Sequence, residues 1–99
     1  MITKISLQNL GTANKNRVVI STSRGQFILY FSYETLVGVV YWLYDKDGSN
    51  EKETRAVIEN QWSTTTGKML NELEPDKSKR IKPAEFDGKV AEMMKFINS

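Results

Sequence analysis

The chain is predicted to be α+β: an antiparallel β-sheet of about four to five strands followed by two helices packed on one face. Three observations predict it. β-Branched and aromatic runs separated by turn residues fill the first 61 positions. Two segments with apolar residues at helical spacing fill the rest. Strands that precede helices, rather than alternating with them, favour antiparallel pairing. The 99 residues suit one domain, read as an N-terminal strand or arm at 1–16, a sheet at 17–61, a helix at 63–74 and a C-terminal helix at 83–98.

In residues 2–10, Ile2, Lys4 and Ser6 interleave with Ile5 and Leu7, an imperfect alternation that fits a short strand or a loosely attached arm. A polar turn follows at Gly11–Asn16. Val18-Val19-Ile20 makes Arg17–Thr22 a strand, and Phe27–Phe31 makes Gln26–Ser32 another. Ser23-Arg24-Gly25 joins them as a hairpin. From Tyr33 to Tyr44 both alternating sides are largely apolar, as expected of a strand covered on both faces. Gly38 in its middle points to a bulge or a close backbone approach. Asp45–Asn50 is a turn around Asp47-Gly48, and Thr54–Ile58 is the return strand.

Ser63 or Thr64 is a good N-cap for a helix that buries Met69, Leu70 and Leu73 and ends at Pro75. Asp76–Lys82 reads as a charged linker. Pro83 suits the first position of the last helix, with Glu85 in its first turn. Its apolar stripe is Phe86, Val90, Met93 or Met94, and Ile97, and Gly88 weakens it.

Composition removes several functional classes. The chain has no cysteine, hence no disulfide and no thiolate site, which suits a reducing cytoplasm. It has no histidine, the commonest general base and metal ligand. A net charge of +2 is too small to name nucleic acid or an anionic membrane as the partner. No apolar run approaches the ~20 residues of a membrane span, and the N-terminus lacks the pattern of a secretory signal.

Motif fragments fail on spacing. Thr66-Gly67-Lys68 resembles the end of a phosphate-binding loop, but Trp62 stands where its first Gly belongs and Met69 where Ser or Thr belongs. Asp45, Asp47, Gly48 and Glu51 do not match the spacing of a calcium loop, whose closing Glu would fall on Ala56. The carboxylates Glu72, Glu74, Asp76, Glu85, Asp87 and Glu92 read as solvated charges. No catalytic residue, cofactor or metal is therefore expected, and the chain is expected to bind rather than catalyse.

Two surfaces are candidates for that binding. The first is aromatic: Tyr30, Tyr33, Tyr41, Trp42 and Tyr44 lie on adjoining strands, and some must face away from the helices. Core filling is the alternative for the same residues. The second is basic: Lys77, Lys79, Arg80 and Lys82, with Arg17, Arg24 and Lys68, would grip phosphates or an acidic partner. A solubilising linker is the alternative there.

Phe31-Ser32-Tyr33-Glu34-Thr35-Leu36-Val37-Gly38 and Trp62-Ser63-Thr64-Thr65-Thr66-Gly67-Lys68-Met69-Leu70-Asn71 together resemble a family of small bacteriophage and prophage proteins with "SYxTxV" and "WSxTTxKxLN" motifs. The likeness covers about residues 26–73, and Met69 replaces the His common in that family. Thr65, Thr66, Lys68 and Asn71 then form either a polar surface site or, as favoured here, a network capping the strand-to-helix joint. The resemblance implies a mobile-element accessory protein that binds a host protein complex, as an inhibitor of CRISPR or similar host defence would. A nucleic-acid-binding accessory and a homodimer through the aromatic sheet face are the alternatives.

Overall fold

The computed structural model describes residues 2–11, 15–44, 53–59 and 64–98, with backbone alone for 64–67. The turn at Asp45–Asn50, Trp62 and the side chains of Ser63, Thr64, Thr65 and Thr66 lie outside the described residues.

Among the described residues five strands form one antiparallel meander in chain order: β1 (Ile2–Asn9), β2 (Lys15–Thr22), β3 (Gly25–Ser32), β4 (Thr35–Leu43) and β5 (Thr54–Val57). The helices α1 (Thr64–Leu73) and α2 (Pro83–Ile97) follow. The expected α+β class and sheet are present. The N-terminal segment is a full strand at one edge, paired to β2 from Ile2 to Asn9. The β2–β3 hairpin is tied by Thr22, whose hydroxyl accepts from the amides of Arg24 and Gly25 at 3.0 and 3.1 Å.

One turn falls where no turn residue marks it. Ser32 pairs with Thr35, so Tyr33 and Glu34 form a tight hairpin loop rather than the start of β4. Tyr33 takes a left-handed φ of 56°, a backbone region costly for a bulky residue.

Register assigns the faces. Tyr41 pairs with Phe27, Phe27 with Ile20, and Ile20 with Ile5. Val39, Leu29, Val18 and Leu7 form the next row of that first face. Val40, Ile28 and Val19, with Gly38 and Tyr30, belong to the second.

The helices take one face each rather than sharing one. On the first face, Tyr41 stacks on Phe27 at 5.5 Å between centroids and meets Phe96 of α2 at 6.0 Å. On the second, a methyl placed on Gly38 would lie 3.1 Å from the Leu73 side chain of α1. The absent side chain at Gly38 is what lets α1 close on the sheet, and the register of β3 and β4 slips beside it, between Tyr30 and Phe31. The bulge and the close approach expected there are both present. β4 is thus covered on two faces, and Val37, Val39, Val40 and Tyr41 are all buried.

α1 carries no basic residue in its last turn, so its carbonyls are satisfied from outside. The Arg55 guanidinium donates to the Leu73 carbonyl at 2.6 Å, and Arg80 donates to the Glu74 carbonyl at 3.0 Å and to the Asn71 side chain. The linker is also more ordered than a bare charged run. It holds a 3-10 turn at Lys77–Lys79, and Ile81 bridges to Ile58 in parallel, extending the sheet beyond β5. Asp76 caps that turn, and the Ser78 hydroxyl and amide hold its carboxyl below the ordinary carboxylate range.

α2 starts at Pro83 as expected and buries Phe86, Met93 and Ile97, leaving Met94 partly exposed. Each fully buried side chain of this kind contributes about 1.5–3 kcal/mol.

Two glycine substitutions separate these effects. Gly38→Val overfills the seat of Leu73 and is expected to lower the unfolding free energy by about 1–3 kcal/mol. Gly88→Ala has open space around it and is expected to raise the unfolding free energy by about 1 kcal/mol. Urea denaturation of the two variants checks both.

Candidate functional site

The rows of the first face show where the sheet is left bare. An α-helix is about 10–12 Å across with its side chains, and strands lie about 4.8 Å apart, so one helix shields roughly two strands. α2 sits over the β4–β5 side, where Phe96 meets Tyr41. Along one row, Tyr41 is 5% exposed and Phe27 0%, Ile20 is half-buried, and Ile5 is 61% exposed. Along the next, Val39 is buried, Leu29 and Val18 are half-buried, and Leu7 is 75% exposed. The outer half of the face is an apolar shelf floored by β1 and β2.

The shelf has a clean chemistry. Strand alternation turns Lys4, Ser6 and Gln8 to the opposite face, so Ile5 and Leu7 stand on the shelf beside Val18 and Ile20, with the polar pair Asn9 and Asn16 at its end. Ile2, on the same row as the buried Thr22, continues it at 43% exposure. On the polar side, Gln8 accepts from Arg17 at 2.7 Å. The alternation Lys4-Ile5-Ser6-Leu7-Gln8 is the sequence signal for this surface, and Ile5 and Leu7 were not among the candidate residues drawn from it.

The aromatic candidates divide between the two faces and a turn. Tyr41 is core on the first face. Tyr30, Trp42 and Tyr44 share the second face and are half-buried, with Tyr30 opposite Gly38 and Trp42 opposite Gln26. Tyr33 stands 53% exposed on its strained turn, at the end of the sheet where Asn9, Lys15 and Ser32 lie. Of the five, it alone presents most of its ring to solvent.

The basic candidates are scattered likewise. Arg17 is held by Gln8 on the second face, while the Arg24 guanidinium lies over the Phe96 ring at 6.0 Å on the first. Arg80 caps α1 together with Arg55. Lys68, Lys77, Lys79 and Lys82 are exposed on α1 and the linker. Of the network proposed around Thr65, Thr66, Lys68 and Asn71, the described part has Asn71 accepting from Arg80 near the C-terminal end of α1.

Among the described residues no group of three or more acidic side chains could hold a metal ion. Glu72 reaches the Lys15 ammonium, at 3.9 Å, from a largely exposed position. No helix among the described residues is long and apolar enough to cross a membrane. No protein family, curated protein or solved structure matches the chain.

Tyr41 gives the core a pH signature. Burial, then the Glu92 carboxylate, push its phenol above the ordinary value of 10.0, against a hydrogen bond with the Thr54 side chain. Between that value and the raised one, the unfolded chain sheds this proton and the folded chain keeps it. Stability is therefore lost as pH rises through this window. Denaturant midpoints measured from pH 8 upward should fall beyond pH 10, and the Tyr41→Phe variant should show a shallower fall.

Proposed function

We propose that this protein is a binding module that acts stoichiometrically on a protein partner, and that the β1–β2 shelf is its contact surface. The observation that carries this reading is the loss of burial along each row, from Tyr41 and Phe27 to Ile5. Monomeric proteins seldom leave contiguous apolar strand faces open unless something docks there. With Ile5 and Leu7 mostly exposed, folding gains little from them, so their value lies in contact. Tyr33, kept in a strained conformation at one end of the sheet, supplies an aromatic anchor of the kind that dominates interfaces.

The finer proposal comes from the bacteriophage-family resemblance. It makes the partner a host protein complex in the bacterial cytoplasm, a CRISPR or similar defence assembly included, disabled by occupancy without catalysis. A protein partner is favoured over nucleic acid because Arg17, Arg24 and Arg80 are spent on Gln8, Phe96 and the end of α1. They lie on different faces and elements, so they build no continuous phosphate track.

Capture from bacterial lysate by immobilised protein tests the reading. The Ile5→Ser, Leu7→Ser double variant should keep its unfolding free energy to within about 1 kcal/mol, about 0.5 kcal/mol per site, because both side chains are exposed. It should weaken binding of the captured protein about ten-fold or more per position. The Lys77→Glu, Lys79→Glu, Lys82→Glu variant should retain it. The opposite pattern, with DNA or RNA binding that collapses as salt rises and disappears in the triple variant, contradicts the proposal.

A further inference from the structure

The outer edge of β1, which borders the shelf, is a second feature and does not rest on the shelf being a partner's contact surface. β1 ends the strand order, and among the described residues no strand pairs with its far side. An edge strand presents a row of backbone donors and acceptors that can template another strand, and proteins commonly blunt such edges with charge, proline or a bulge. β1 has blunting only at its start. The register slips between Ile2 and Lys4, and Lys4 is the one charged residue of the strand. From Ile5 to Asn9 there is no charge, no proline and no slip.

We propose that β1 pairs with β1 of a second copy of this chain, antiparallel about a two-fold axis through Ser6. The order of side chains singles out both the occupant and the register. With the axis at Ser6, Ile5 stands opposite Leu7 of the other copy, Lys4 opposite Gln8, and Ser6 opposite itself. Apolar residues meet apolar ones on the shelf face, polar residues meet polar ones on the other, and no like charges face each other.

The neighbouring registers fail this match. An axis at Ile5 puts Thr3 opposite Leu7, and an axis at Leu7 puts Ile5 opposite Asn9. An axis at Lys4 sets two ammonium groups against each other. Only the Ser6 register is self-complementary, as a two-fold interface requires. It also joins the two sheets into one, so that both shelves lie side by side between the two copies of α2.

The chain contains no cysteine, which makes the register directly testable. Sedimentation of the wild-type chain should give a mass twice 11.3 kDa at tens of micromolar, falling toward 11.3 kDa on dilution. Ser6→Lys places two cations together on the axis and should shift the dissociation constant upward at least ten-fold with an unchanged circular dichroism spectrum. Ser6→Cys should cross-link to a covalent dimer under mild oxidation at least ten times faster than Ser23→Cys, which sits on the exposed β2–β3 turn. A wild-type chain that keeps the mass of one copy at millimolar concentration overturns the proposal. So does a dimer that survives Ser6→Lys unchanged, or one in which Ser6→Cys cross-links no faster than the control.

Discussion

The double burial of β4 is the constraint on which the structure rests. Its odd-numbered residues Val39 and Tyr41 pack under α2, with both Phe27 and Phe96 against the Tyr41 ring. Its even side is opened by Gly38, which admits Leu73 of α1. Neither helix could be removed without exposing one side of an almost wholly apolar strand, and an isolated helix of ten residues, the length of α1, is marginal in water. The two helices and the strand therefore form one cooperative unit. Arg55, the Arg80 cap and the Ile58–Ile81 bridge secure the chain as it passes from one face to the other.

The open surface follows from the same geometry. Two short helices, one to each face, cannot shield five strands, so cover is concentrated at β3–β5 and the N-terminal hairpin projects past it. A hairpin held on the sheet by pairing to β3, yet carrying Ile5 and Leu7 outward, is suited to contact with another protein. The rigidity of the unit around β4 keeps that surface in place, so little ordering entropy is lost when it is covered.

Much of the fold was legible because its signals are local. The Val18–Ile20 and Phe27–Phe31 runs, the Pro83 start and the Phe86–Ile97 stripe each specify an element from adjacent residues. The two-sided apolar pattern of β4 and the meaning of Gly38 were legible too. The Tyr33-Glu34 turn was not, because neither residue favours a turn and the strain at Tyr33 is imposed by the pairing of Ser32 with Thr35. Which helix covers which face was hidden as well, since it depends on Leu73 finding Gly38 across the chain. Arg80 illustrates the limit for sites. In a basic run it reads as a binding residue, whereas its partners, the Glu74 carbonyl and Asn71, become its neighbours only when α1 folds back. The shelf was missed for the converse reason: alternation at Lys4–Gln8 marks an amphipathic strand, but only the reach of α2 decides that its apolar side stays uncovered.

Cover is graded across one sheet, densest at the middle of β4 and least at β1. Native-state hydrogen exchange, on the chain diluted until its mass is that of a single copy, measures this most directly. Amides of Val39, Val40 and Tyr41 are expected to exchange only through global unfolding, while those of Ile5, Leu7 and their β1 neighbours exchange through local opening at far lower free energy. Equal protection of β1 and β4 under that condition would contradict it.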